Sequence, residues 1–326
     1  MADVTMVKAL NEALRDSLKN DDRALILGED IGKLGGVFRV TDGLQAEFGI
    51  GRVFDTPLAE AAIAGVSLGL ALAGWHPVAE MQFDGFSYPA LDQVISHIAK
   101  YRYRSRGRQP MPVVIRIPFA GGIGAAEHHS ESPEAYYAHT AGLKVVVPSS
   151  PIDAYHLLRA SIADPDPVIF FEPKSRYWSK EEGELGTNGA LPIGKARVVR
   201  EGSDCTVVAY GAMVAKALSA AEEASTDSGV EIEVLDLRSL VPLDLEALAS
   251  SVSRTGRAVV VHEAPMTAGF GAEVVARLVE DCFDYLEAPV LRVTGYDTPY
   301  PPATIESHYL PSIERILAAV DRVVNY

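Results

Sequence analysis

One glutamate, Glu60, sits near the head of the run DTPLAEAAIAGVSLGLALAG (residues 55–74), small and apolar from Ala61 onward. Residues 61–74 carry no charge and one hydroxyl, Ser67. With Thr56 as N-cap and Pro57 as the first helical residue, the run predicts a helix apolar on all sides and therefore buried. Two readings of Glu60 are open. In one it is a solvated acid in a first turn, where the helix dipole favours it. In the other it is desolvated, and a desolvated carboxylate needs a partner or holds a proton. No basic residue lies within one or two turns, so that partner comes from a distant segment or from a ligand.

A second candidate is the glycine loop GGIGAAEHHSESPE (121–134), with His128 and His129 side by side. Imidazole titrates near neutrality and suits proton shuttling. A loop after a parallel strand is where α/β sheets place chemistry. No third ligand is spaced nearby, which disfavours a metal, and a solvated loop histidine is the plain alternative. QFDGFSYPALDQ (82–93) sets aromatic residues before a helix, for which core packing is the usual reading. AKYRYRSRGR (99–108) carries Lys100 and four alternating arginines, Arg102 to Arg108. It reads as a solvated loop or as a surface for an acidic partner. TAGFGAEV (267–274) lacks the third glycine of a dinucleotide fingerprint and does not follow the first strand of its half, which argues against NAD.

The elements that must position these residues alternate along the chain. Strand patterns occur at 24–30, 76–83, 111–119, 143–150 and 167–174, with RVFDTP (52–57) leading into the Glu60 helix. Helical patterns cover the N-terminus, 32–49, 88–105 and 151–163. A polar, glycine-rich stretch at 179–195 reads as a linker. Beyond it strands at 205–211, 232–239, 258–264 and 290–295 alternate with helices at 212–226, 244–253, 271–283 and 312–324. Apolar strands separated by helices predict mostly parallel sheets covered on both faces. The expected fold is two α/β domains split near residue 185, which suits 326 residues.

Lys and Arg total 29 against 44 Asp and Glu, a net charge of −15, the wrong sign for non-specific nucleic-acid binding. Two cysteines without metal spacing fit a reducing compartment. The N-terminus resembles neither a signal nor a transit peptide, and the 61–74 run is too short to span a bilayer. The expectation is a cytoplasmic bacterial protein that does not enter membranes; a processed mitochondrial chain would read the same.

Taken together, GEDIGKLGGVFRVTDGL, RVFDTPLAEAAIAG, PVAEMQFDGFSYPALDQ, AKYRYRS, HHSESPEAYYAHTAGLKVVVPSSPIDA and VIFFEPK resemble the β subunit of the thiamine-diphosphate-dependent 2-oxo acid dehydrogenases. They keep family order over most of residues 25–175. GKARVVREG, LDLRSLVPLD and VVVHEA resemble the family's C-terminal domain less sharply. QFDGF, YRYRS, HSESPEAYYAH and FFEPK look more like the branched-chain type than the pyruvate type.

The resemblance implies a pyrimidine-binding domain over 1–185 and a transketolase-like domain over 186–326. It places Glu60 against ring nitrogen N1′ of the cofactor, where a shared proton favours the imino form that activates the thiazolium carbon. It puts Phe86 against the pyrimidine ring and Leu58 and Gln82 in the same pocket. His129 matches the histidine that serves the lipoyl group during reductive acylation; His128 lies beside it on that channel, its role open. A structural potassium ion would sit on mainly main-chain oxygens of Met111, Val113, Val114, Ser161, Asp164 and Asp166. The GDG motif that begins a Mg²⁺ and diphosphate site is absent. Unpaired diphosphate charge is not tolerated, so the resemblance implies an α subunit holding Mg²⁺, in an α₂β₂ heterotetramer with the cofactor shared. The implied reaction is oxidative decarboxylation of a 2-oxo acid and acyl transfer to lipoyl-lysine of an acyltransferase core. The alternatives are a pyruvate or acetoin dehydrogenase β subunit, a scaffold subunit without chemistry, and a self-sufficient transketolase-like enzyme, the last opposed by the missing GDG.

Overall fold

The computed structural model describes residues 3–186 and 191–326. A seven-stranded sheet has the order β12-β6-β7-β5-β4-β2-β3. Its strands are β2 (Ala24–Gly28), β3 (Val53–Asp55), β4 (His76–Glu80), β5 (Val114–Phe119), β6 (Lys144–Val146), β7 (Val168–Pro173) and β12 (Ser239–Val241). All pairs are parallel except β12 with β6. A five-stranded sheet, β14-β13-β10-β11-β9, comprises β9 (Arg197–Arg200), β10 (Cys205–Ala209), β11 (Ile232–Asp236), β13 (Ala258–Pro265) and β14 (Leu291–Gly295). Only β9 pairs antiparallel there. The strands are near-continuous apolar runs because helices cover both faces of each sheet.

The helices follow from periodicity and caps. Met6–Asn20 is capped by Thr5, whose hydroxyl accepts the Lys8 N–H, and it buries Met6, Leu10, Leu14 and Leu18 on one stripe. Pro151–Ala163 starts on a Ser150 cap with Pro151 in its first turn. These two helices pack together on the outer face of the first sheet. The outer face of the second sheet carries Met213–Ser228 and Ile313–Val324. Between the sheets lies a single apolar layer to which both halves contribute, from Leu27, Ile63 and Phe171 to Tyr210, Leu248 and Leu278.

Several sequence expectations are corrected. Within 32–49 only Leu44–Phe48 is helical; Gly35, Gly36 and Gly43 have left-handed φ and break the rest into turns. The segment expected as one helix over 88–105 is a 3₁₀ stretch, Asp84–Ala90, followed by Leu91–Gln93, a π-helical turn Val94–Ile98 and Ala99–Arg104. Part of the expected linker is a strand: β8 (Lys180–Glu182) pairs antiparallel with β1 (Asp3–Thr5). Residues 187–190 of that linker lie outside the described residues. The strand expected over 232–239 divides, and β12 crosses to the first sheet.

The Glu60 helix differs most. It spans Glu60–Leu72 and begins at Glu60 itself, with Ala59 at the cap position. Thr56 is not its N-cap and Pro57 is not helical; the Thr56 N–H instead bonds the Gly28 carbonyl at 2.9 Å, extending the β2–β3 pairing. Nor is the helix buried on all sides. Ile63, Ala64, Ser67 and Ala71 face the interior, while Ala61, Ala62, Val66, Gly69 and Leu72 lie on an exposed apolar side. Composition forecasts how much apolar surface a helix has; it does not forecast that one chain covers only half of it.

Candidate active site

Four neighbouring strands, β5, β4, β2 and β3, end on the same side of the first sheet. The segments leaving their carboxyl ends carry Glu29 and Asp30 after β2, Glu60 after β3, Gln82, Phe83 and Phe86 after β4, and His128 and His129 after β5. Carboxyl ends of parallel strands are where this architecture leaves polar groups free for ligands.

Glu29 is 2% exposed, and neither carboxylate oxygen has a hydrogen-bond partner in the described structure. Burial pushes its carboxyl up to about 7; the charges of Glu60 and Asp30 add to the rise. The Ala59 N–H draws it back in part without reaching hydrogen-bond geometry. Glu60 is half-buried as the first residue of its helix, where unpaired N–H groups favour an anion. Gln82 joins this group by donating from Nε2 to Asp30 at 3.1 Å. Two neighbouring acids, one with its carboxyl raised to about 7, form a site that can hold or release a proton near neutral pH. Leu58 lies beside them and is 79% exposed. Both the acid pair, with its orphaned Glu29 oxygens, and the neighbouring aromatic wall suit a protonatable heterocycle.

His129 stacks on Phe83 with ring centroids 3.9 Å apart and planes at 20°, and meets Phe86 edge-on at 5.1 Å. Its Nδ1 lies 3.0 Å from the His128 carbonyl oxygen. A carbonyl only accepts, so Nδ1 carries the hydrogen and Nε2 is left to take or give a proton. His128 is exposed and sits 6.3 Å from the Phe86 ring. The structure thus gathers His128, His129 and Phe86 into one cluster, beside the Glu29, Glu60 and Gln82 group.

The support beneath is charged and dry. Lys174 pairs with Asp84, both fully buried, and Asp84 also accepts the Glu131 N–H at 2.8 Å. The Tyr88 hydroxyl donates to the Glu131 carboxylate. Gly85 lets the 3₁₀ stretch approach the histidine loop; a Cβ there would lie 2.4 Å from the His128 carbonyl oxygen. Lower in the sheet, Arg116 on β5 donates to Glu172 on β7 at 2.6 and 2.9 Å and to Glu80 on β4 at 2.5 Å, with all three side chains buried. The triad fixes the relative positions of the strands that end in the site.

Sequence reasoning missed Glu29, Phe83, Gly85 and the Asp84–Lys174 pair. Glu29 carried a readable signal, as an acid directly after an apolar strand. The others depend on contacts across long sequence separations.

The candidate potassium residues come together. The Met111 N–H bonds the Pro165 carbonyl at 2.9 Å, the Val168 N–H bonds the Val113 carbonyl at 2.9 Å, and the Asp164 N–H bonds the Ser161 carbonyl at 3.3 Å. Lys144 already occupies both Asp164 oxygens, at 2.7 and 2.6 Å. Asp166 pairs with Arg102 and, at 3.3 Å, with Lys144. A cation here would therefore rest on main-chain oxygens. Among the described residues no cluster of three His, Cys, Asp or Glu is placed to hold a metal. Of the arginine loop, Arg102 is engaged with Asp166, whereas Arg104, Arg106 and Arg108 are exposed beside Tyr103.

Comparison with known proteins identifies the family and the fold. Residues 2–179 match the family "Transketolase, pyrimidine binding domain", and residues 194–316 match "Transketolase, C-terminal domain". The 3-methyl-2-oxobutanoate dehydrogenase subunit beta of Mycobacterium tuberculosis (strain CDC 1551 / Oshkosh) is 58% identical, over 99% of this chain and 92% of its own. The pyruvate dehydrogenase E1 component subunit beta of Leifsonia xyli subsp. xyli is 56% identical, over 98% and 95%. A solved structure described as a split gene transketolase, inactive beta4 tetramer, superposes with a TM-score of 0.81 at 25% identity, covering 99% of this chain and 98% of that one. The chain belongs to the β subunits of the thiamine-diphosphate-dependent 2-oxo acid dehydrogenases, with a pyrimidine-binding domain followed by a transketolase-type C-terminal domain.

Proposed function

We propose that this chain is the β subunit of a branched-chain 2-oxo acid dehydrogenase, active only with an α subunit. The observation that carries the reading is the Glu29–Glu60 acid pair set beside the Phe86–His129 cluster at one sheet end. A subunit without chemistry would gain nothing from an unpaired buried acid next to a second carboxylate, which costs stability.

Thiamine diphosphate, when bound, supplies the carbon nucleophile that attacks a 2-oxo acid and accommodates the charge left by loss of CO₂. This chain's residues hold and orient its aminopyrimidine end. Glu60 keeps a proton at N1′, and its neighbour Glu29, whose carboxyl is pushed up to about 7 by burial, sets a second protonatable group beside it. Phe86, Gln82 and Leu58 form the pocket wall. His129, held flat against Phe83 with Nε2 free, positions the lipoyl group of the acyltransferase core and delivers a proton to it; His128 flanks the entrance. Potassium is assigned mainly to the main-chain oxygens of Met111, Val113, Val114, Ser161, Asp164 and Asp166, where it would stiffen the base of β5 and β7.

The absent GDG motif assigns the diphosphate and Mg²⁺ to the α subunit. The exposed apolar side of Glu60–Leu72, which includes Val66 at 49% exposure, supports this assembly, because such a face at the site rim calls for a cover. That cover in an α₂β₂ heterotetramer would complete the desolvation of Glu60. Among the described residues no helix is long and apolar enough to cross a membrane. Cys205 and Cys282 are unpaired buried thiols, in keeping with a bacterial cytoplasm.

Two inputs support branched-chain specificity: the segments QFDGF, YRYRS, HSESPEAYYAH and FFEPK, and the mycobacterial relative. The Leifsonia relative favours a second reading, pyruvate. Co-expression with the α subunit, followed by a panel of pyruvate and the valine, leucine and isoleucine 2-oxo acids, separates them. The first reading requires a higher kcat/KM on the branched acids; a preference for pyruvate refutes it. In the same complex Glu60→Gln must abolish decarboxylation measured with an artificial electron acceptor. Full activity there would remove Glu60 from the mechanism.

A further inference from the structure

We propose that the C-terminal half completes the active site by clamping the glycine loop that carries His129, with Glu306 as a bidentate positioning residue and Glu263 and Tyr300 behind it. The loop leaves β5 as Ala120-Gly121-Gly122-Ile123-Gly124. The Gly122 N–H donates to Glu306 Oε1 at 3.0 Å, and the Gly124 N–H donates to Oε2 at 3.2 Å. Gly122 and Gly124 have φ of +85° and +68°, conformations that suit glycine and turn both N–H groups toward one anion. The Tyr300 hydroxyl donates to the same Oε1 at 2.7 Å, which helps fix the carboxylate. The Gly121 N–H donates to Oε2 of buried Glu263, at the end of β13, at 2.9 Å. Gly121 also allows Tyr300 to lie against the loop, since a Cβ would fall 1.8 Å from its hydroxyl oxygen.

The far end of the loop is fixed by the first half. The Ala120 N–H closes on the Glu131 carbonyl at 2.8 Å, and the Glu131 N–H is held by Asp84. His128 and His129 lie between the two anchorages. Three glycines give this loop large backbone freedom, and freedom in a loop that must present Nε2 to a substrate is lost rate. Carboxylate acceptors taking the N–H groups of Gly121, Gly122 and Gly124 remove that freedom. Residues 121 and 306 are far apart in sequence, so this arrangement is a property of the fold alone.

The inference rests on the reading of His129 as the residue serving the lipoyl group, so two readouts are needed. The first is hydrogen–deuterium exchange of the peptide covering 120–131 in the assembled α/β complex. Glu306→Ala should speed its exchange, and Glu306→Gln, which keeps one accepting oxygen but turns an amide NH₂ toward the second glycine N–H, should restore the protection only in part. The second is the ratio of lipoyl-domain acylation to decarboxylation with an artificial acceptor. Glu306→Ala should lower that ratio about tenfold, with Glu306→Gln falling between it and the wild type. Unchanged exchange overturns the clamp. Faster exchange with an unchanged ratio, or a parallel loss of both half-reactions and of thermal stability, overturns the positioning role. A wild-type complex inactive on every 2-oxo acid refutes the functional reading, while the exchange arm still decides the clamp.

Discussion

Gly85→Ala tests how closely the histidine loop must be placed. Gly85 lies within the 3₁₀ stretch Asp84–Ala90, and its φ is not in the left-handed region, so the backbone accepts alanine without strain. The added methyl is the whole perturbation. It would stand 2.4 Å from the His128 carbonyl oxygen and 3.1 Å from its carbonyl carbon, both main-chain atoms that cannot swing aside as a side chain does. Restoring a separation of 3.0–3.4 Å from 2.4 Å moves the loop by 0.6–1.0 Å. His129 moves with it, off the face of Phe83. A misplacement of about 1 Å costs up to about 10²-fold in a positioned step. The assay compares two half-reactions of the co-expressed α/β complex: decarboxylation with an artificial electron acceptor, and acylation of a free lipoyl domain followed by mass spectrometry. Acylation should fall about 10- to 100-fold, and decarboxylation should fall less, because the Glu29–Glu60 group lies on other segments. Gly51→Ala, whose methyl would meet nothing within 4 Å, is the matched control. A folded Gly85→Ala complex that acylates the lipoyl domain at more than half the wild-type rate would refute the reasoning.

Three further outcomes follow from the same contacts. Arg116→Leu leaves Glu80 and Glu172 buried without their counter-charge and should cost about 3–5 kcal/mol in denaturant unfolding; a loss below about 1 kcal/mol would show that the triad relaxes. Burial pushes Glu134 up to about 8 from 4.5 although the Tyr210 hydroxyl draws it back, so between those values the folded chain keeps a proton that the unfolded chain releases. Its contribution to stability therefore falls as pH rises from about 4.5 to about 8 and is level above that. Glu134→Gln, a mimic of the protonated form, should flatten melting temperature against pH over that window, and an unchanged slope would contradict the assignment. Val66→Arg, on the exposed side of Glu60–Leu72, should leave the isolated chain folded, within about 0.5 kcal/mol, yet abolish co-purification with the α subunit; retained co-purification would move the interface elsewhere.

Much of the fold is legible in the chain. The strands at 24–28, 168–173, 205–209 and 258–265 are apolar runs bounded by polar turns, and the helix at 313–324 shows an amphipathic period. The errors fall where local signals compete. In 32–49 glycines outweigh helix-forming neighbours, and in 84–104 aromatic and proline residues pack the chain into 3₁₀ and π turns that periodicity does not distinguish from an α-helix. β12 is three residues long and belongs to a sheet built almost wholly by the other half, so no local pattern could assign it.

The site divides in the same way. Glu60 and the His128–His129 pair stand out as candidates because each is chemically out of place in its own segment, an acid on an apolar helix and a histidine pair in a glycine loop; Phe86, in a stretch that reads as core packing, enters only through the family resemblance. Such incongruity is a local property, and local properties are what a sequence by itself determines. Only the tertiary structure decided that Glu29 stands unpaired beside Glu60, that Phe83 backs His129, and that carboxylates from the far half grip Gly121, Gly122 and Gly124. Those relations depend on which strand ends become neighbours when two sheets close on a shared apolar layer. Burial and Coulomb forces act over a few ångströms, and no spacing along the chain encodes a distance of that kind.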